Sequence, residues 1–182
     1  MARALFLSAA APRLVIDPAD SSLTSIPGAV TFSDPRRPPK DAATARFVPA
    51  DPADRDAYDA VYRWAFANFP RYVWLDEPDQ AAPASGWPRH VNTYVVQGAK
   101  RMLGHLCCAT RPRNVMVSLI ANAQHVIAFD LPHPQDRRHL AELAGIPVAV
   151  FEAEMAALPL YGFLWWNGLD RTLTSCPPLK VG

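Results

Sequence analysis

The chain has 182 residues, half of them apolar, and a formal net charge of +1. That length and apolar content suffice for one domain with a real core, and the near balance of charge supplies no acidic or basic excess to mark a polyanionic partner. Fifteen of the 18 basic residues are Arg, which favours bidentate contacts to phosphate or carboxylate over diffuse charge.

In chain order, Ala2 to Ala10 places apolar side chains at helical spacing and Pro12 ends the run, so the start is read as an amphipathic helix. RLVIDP at 13–18 is a β-branched strand closed by Asp-Pro. Residues 18–52 are rich in Pro, Ser, Asp and Ala and are expected to be mostly loop, with a short strand in ARFVPAD at 45–51. From Ala53 to Phe69, Tyr58, Val61, Tyr62, Ala65, Phe66 and Phe69 recur at three-and-four spacing, predicting a helix stopped by Pro70 just before the strand RYVWLDE.

A loop follows, then a helix from about Arg89 to Leu103 that ends at Gly104, the strand HLCCATR at 105–111, a short helix at 115–123 and the strand HVIAFDL at 125–131. DRRHLAELAG at 136–145 predicts a helix closed by Gly145, and the segment from 146 to 182 a small helix and two closing strands. Helix–strand alternation with nearly continuous apolar strands predicts an α/β fold, mainly a parallel sheet flanked by helices, in a single domain over 1–182.

Cys107, Cys108 and Cys176 have no CxxC spacing, and His90, His105, His125, His133 and His139 no HExxH-like pattern, so structural roles are expected for all of them. A reducing cytoplasmic setting fits this cysteine usage. The most apolar late segment, LPLYGFLWWNGL at 158–169, falls well short of the roughly 20 residues that cross a bilayer.

Ligands of open α/β sheets bind beyond the carboxyl ends of the strands. Asp17, Asp76, Glu77, Thr110 and Asp130 all fall at or near such ends. Asp76 and Glu77 have the order needed for a nucleotide site, in which one acid holds Mg²⁺ through its waters and the next deprotonates the attacking water. The simpler readings are that Asp-Glu caps the turn after its strand, that Asp17 is a turn residue before Pro18, and that Asp130 is an ordinary strand-end acid.

The succession VWLDE, a helix carrying QGAKRMLGH, LCCATRPRNV, and ANAQHVIAFDLPHPQDRRHLAELAG resembles the carboxyl-terminal half of HerA/FtsK-type P-loop ATPases, a group that includes DNA pumps and phage or conjugative motors. The resemblance implies a P-loop NTPase-like, RecA-like core, ATP and Mg²⁺ as cofactors, a homo-oligomeric ring and DNA as a partner. It makes Asp76 the Walker B magnesium carboxylate, Glu77 the general base and Thr110 the approximate sensor. Arg101 and Arg111 become contacts to nucleotide on a neighbouring subunit. The family's sensor strand ends in a Thr-Gln-Arg-Pro-like sequence, whereas here it reads Ala109-Thr110-Arg111-Pro112, without the Gln.

No GxxxxGK[ST] phosphate loop occurs in the sequence. The first helix resembles what directly follows that loop in the family, so the loop and its strand are expected upstream of Met1, the fold is expected to be N-terminally incomplete, and ATP binding by this chain weak or absent. The alternative is a non-catalytic structural or regulatory paralogue. A third reading, an unrelated α/β protein whose Asp-Glu is only a strand cap, predicts that Asp76 and Thr110 do not converge on one pocket.

Overall fold

The computed structural model describes residues 1–68 and 72–179. The expected helix end at Phe69 and Pro70 and the first residue of the next strand, Arg71, lie outside them, as do Lys180, Val181 and Gly182 of the expected closing segment. The chain packs as two compact units: Met1–Thr110 with Asn114–Met116, and Arg111–Arg113 with Val117–Gly182.

The first unit carries α1 (Ala2–Ser8), β1 (Arg13–Ile16), β2 (Val30–Phe32), β3 (Thr44–Phe47), α2 (Arg55–Ala67), β4 (Tyr72–Asp76), α3 (Pro78–Ala81), α4 (Arg89–Gly98) and β5 (His105–Cys108). The five strands form one sheet in the order β2-β3-β1-β4-β5, every neighbouring pair parallel. Apolar runs with no polar alternation have to be covered on both faces, and Leu14, Val15, Ile16, Val73 and Leu75 are all fully buried. Phe6 of α1 packs with Val15, Ile26 and Trp74 on one face. On the other, Tyr58 of α2 meets Phe47 edge-on at 6.3 Å, and the Tyr62 hydroxyl is 2.9 Å from His105 Nε2.

Local signals set the boundaries. Asp54 caps α2 by accepting the backbone N–H groups of Asp56 and Ala57 at 3.0 and 3.1 Å, worth about 1 kcal/mol. Pro12 ends α1 early, at Ser8. The expected long helix to Leu103 stops as α-helix at Gly98 and continues as a 3₁₀ turn over Ala99–Arg101. The stretch expected to be mostly loop contains strand β2 as well as β3; β2 is invisible in the pattern because, as an edge strand, it is exposed or half-buried throughout.

The second unit comprises α5 (Val117–Ala121), β6 (His125–Ala128), α6 (Pro134–Ala144), α7 (Val148–Ala156), β7 (Phe163–Asn167) and β8 (Thr172–Cys176). Gly145 closes α6 at φ 69, the left-handed cap its position predicts. The apolar pattern of HVIAFDL predicts a further strand of the parallel sheet, but β6 pairs antiparallel with β7, which pairs antiparallel with β8. The closing segment forms a hairpin, and a hairpin offers its free edge only to a strand already within reach. Ala128, Leu140, Ala141, Ile146, Phe151, Met155 and Leu164 form this unit's core.

Candidate functional site

All five strands of the first unit point the same way, so their carboxyl ends share one edge. Ile16 is in register with Leu75, and Asp76 with Cys108. Asp17 therefore leaves β1 beside Asp76, the last residue of β4, and Thr110 lies two residues beyond Asp76's partner on β5. Asp76 ends β4 and Thr110 follows the end of the neighbouring β5, so both lie at the same edge of the sheet. Asp130 follows β6 in the second unit.

Asp76 is half-buried and Glu77 exposed. Desolvation raises the Asp76 carboxyl above the usual aspartate range; the charges of Asp17 and Glu77 raise it further and the Trp74 indole opposes them. Trp74 is 3% exposed, and its Nε1–H has no hydrogen-bond partner of normal geometry. Glu77 has a left-handed backbone, φ 45, and although it occupies the N-cap position of α3 its side chain makes no capping bond. That conformation costs an L-residue about 1–2 kcal/mol. It is held by the Glu77 N–H donating to the Cys108 carbonyl at 3.1 Å.

Asp17 is more than a turn residue. It is fully buried and accepts from Arg46 Nη2 at 2.5 Å, from the Ser21 N–H at 3.2 Å and from the Thr24 hydroxyl. Arg46 also reaches Asp20 at 2.8 Å and the Ser21 carbonyl at 3.1 Å. Sequence reasoning missed Arg46, although an Arg inside the apolar strand TARF implies a buried anion to pair with. The adjacent thiols are not activated: burial pushes Cys108 up to about 11, Asp76 adding to the rise, and pushes Cys107 higher still.

Arg101 precedes β5, at the edge opposite Asp76, with its guanidinium 4.2 Å from the Phe66 ring centre. Arg111 opens the second unit, where its Nε donates to the buried Asp136 at 2.6 Å. Asp136 also accepts the Arg113 N–H at 3.3 Å. Burial holds His105 down at about 4, and His90 Nδ1 lies 2.6 Å from Asp59. Among the described residues no three His, Cys, Asp or Glu side chains are grouped to hold a metal, and no helix is long and apolar enough to cross a membrane.

A parallel sheet with helices on both faces and an Asp-Glu pair at its carboxyl edge is the P-loop NTPase-like α/β fold. Solved structures that share it include the genome-packaging NTPase B204 of Sulfolobus turreted icosahedral virus 2 in complex with ATP-gammaS, with a TM-score of 0.74 at 13% identity over 98% of this chain and 87% of that one. The same NTPase in complex with AMP gives 0.71 at 14% identity over 92% and 83%. B204, the DNA-packaging ATPase from Sulfolobus turreted icosahedral virus, gives 0.70 at 14% over 98% and 88%. No protein-family model and no curated protein matches the sequence. The resemblance to HerA/FtsK-type P-loop ATPases thus holds at the level of the fold.

Proposed function

We propose that the chain is part of an ATPase motor that acts on DNA, of the kind that packages or moves a genome, with Asp76 as its magnesium carboxylate and Glu77 as its general base. One observation carries the reading. Glu77 keeps a costly left-handed backbone beside Asp76 while its carboxylate caps nothing, and strain of this kind accumulates where a side chain must be aimed. A residue serving only as a strand cap would be bonded to the helix it precedes. The packaging NTPases that share the fold support the same reading.

The residues fit a magnesium ion of the type held by one carboxylate and substrate phosphates through retained waters: Asp76 lies beside the charges of Asp17 and Glu77, with a raised proton affinity that a nearby cation relieves. When bound, magnesium neutralises charge on the phosphate oxygens. Asp76 would hold the ion through its waters, Glu77 would orient the attacking water and take its proton, and Thr110, two residues past the adjoining β5, would position the phosphate. The sequence has no Gly-Lys-Ser/Thr run, so these residues supply no P-loop cradle for the phosphates, and ATP binding by them alone is weak. The motor works as an assembly of identical chains, to which Arg101, exposed at the far edge, presents its guanidinium.

The test is Mn²⁺ binding followed by water-proton relaxation in the presence of ATP. Weak binding at this edge should disappear in Asp76→Asn and persist in Glu77→Gln. Binding that Asp76→Asn leaves intact refutes the assignment. Micromolar, Mg²⁺-dependent ATP binding would show instead that a cradle exists among these residues.

A further inference from the structure

Trp74 stands two residues before Asp76 on β4, and alternate residues of a strand point to the same face of its sheet. That face is the one α1 covers, where Trp74 packs with Phe6, Val15 and Ile26 and where Cys108 rests against the cluster. Cys108 is in register with Asp76 on the neighbouring strand. Trp74, Asp76 and Cys108 therefore share one corner of the sheet, at its carboxyl edge.

The packing alone does not ask for an indole. The Trp74 ring centre lies 5.5 Å from that of Phe6 in a tilted pair, an arrangement that a Phe ring can also make with no polar atom to bury. Trp adds an N–H, and here the Nε1–H is sealed from water with no acceptor at normal hydrogen-bond geometry. A buried donor left unmet is costly, and an exception of this kind calls for a use.

The groups around the N–H supply one. It favours the charged form of the Asp76 carboxyl, against burial and the charges of Asp17 and Glu77, and it also faces the Cys108 thiol. Of the two acceptors, an ionised carboxylate binds an N–H far more strongly than a protonated sulfur does. The ring itself is clamped between α1 and the sheet, so the core sets the direction of the N–H.

We propose that Trp74 is a positioning residue for Asp76: its N–H holds one carboxylate oxygen and leaves the other turned to the carboxyl edge, where a hydrated divalent cation is taken. The inference rests on the reading of Asp76 as the magnesium carboxylate. A donor that fixes a carboxylate from behind sets the orientation in which it meets the ion, and loss of such a donor costs roughly 10-fold or more in metal affinity.

Two measurements on the full chain test it. In metal-free protein, the indole N–H resonance of Trp74, assigned by its absence from the spectrum of Trp74→Phe, should move and exchange faster with solvent in Asp76→Ala, and should keep its position in Cys108→Ala. With Mn²⁺ binding read by water-proton relaxation, 3-benzothienylalanine in place of Trp74, which keeps the fused-ring shape with sulfur instead of N–H, should weaken binding roughly 10-fold without lowering the urea midpoint. A resonance that Asp76→Ala leaves in place, or one that follows Cys108→Ala instead, would overturn the proposal. So would Mn²⁺ binding that depends on Asp76 yet is unchanged by the isostere. Absence of Mn²⁺ binding in the wild type, or binding indifferent to Asp76→Asn, would count against the magnesium reading instead, and the N–H resonance would then decide by itself whether Trp74 holds the carboxylate.

Discussion

Arg46→Met tests whether the acidic edge rests on a buried ion pair. The substitution keeps most of the side-chain stem and removes the guanidinium, leaving the fully buried Asp17 carboxylate without its cation. Removing one partner of a buried pair costs about 3–5 kcal/mol, because the other charge is stranded. The second carboxylate on Arg46, Asp20, has a side chain 70% exposed and accounts for less than about 1 kcal/mol of that. With a urea m-value of about 2 kcal/mol/M, the unfolding midpoint should fall by roughly 2 M. Asp17→Asn added to Arg46→Met removes the stranded charge; its amide oxygen, in the place of Oδ1, still accepts the Ser21 N–H, and its NH2, in the place of Oδ2, donates to the Thr24 hydroxyl oxygen, so the double variant should regain all but about 1–2 kcal/mol. Urea titration followed by far-UV circular dichroism and tryptophan fluorescence reads both. A loss under about 1 kcal/mol in Arg46→Met, or a double variant no more stable than the single one, would refute the reasoning.

Metal binding should weaken on acidification earlier than at an ordinary aspartate: the Asp76 pKa is raised, and only the ionised form binds, so affinity is full above that value and falls as pH drops through it. Asp17→Asn removes one of the raising charges and should move the midpoint of a Mn²⁺ titration to lower pH; a midpoint unmoved or raised counts against the coupling. With a phosphate loop supplied ahead of α1, Glu77→Gln should keep nucleotide binding and lower turnover roughly 10²-fold or more in a steady-state ATPase assay, and unchanged turnover would rule out the general base. Gly104→Ala should destabilise the first unit by more than about 2 kcal/mol in thermal unfolding, since a Cβ there falls 2.1 Å from Tyr72 Cδ2; an unchanged Tm would show that the Tyr72 ring moves freely aside.

The sequence by itself determined the elements whose signals are local. Unbroken apolar runs at 14–16 and 72–75 read as buried parallel strands because only a doubly covered strand tolerates no polar face, and the three-and-four spacing of Tyr58, Val61, Tyr62 and Ala65 shows as α2 because a helix turns every 3.6 residues. The order Asp76-Glu77 at a strand end was legible for the same reason. Tertiary structure alone decided the rest. That β6 joins an antiparallel sheet depends on where β7 returns, since a four-residue apolar run pairs equally well in either direction. That Asp17 is the anchor of a buried network, and not merely a turn residue before Pro18, depends on Arg46, 29 residues away, because the partner of a charge is set by which strands become neighbours and not by distance along the chain. The placement of Arg101 at the opposite edge from Asp76, and the attachment of Arg111 to Asp136, follow from strand direction and chain path. The left-handed backbone of Glu77 also lies beyond the sequence pattern, since nothing in WLDEPD asks for it; the bond from its N–H to Cys108 on the neighbouring strand, formed only once β4 and β5 have paired, fixes that turn.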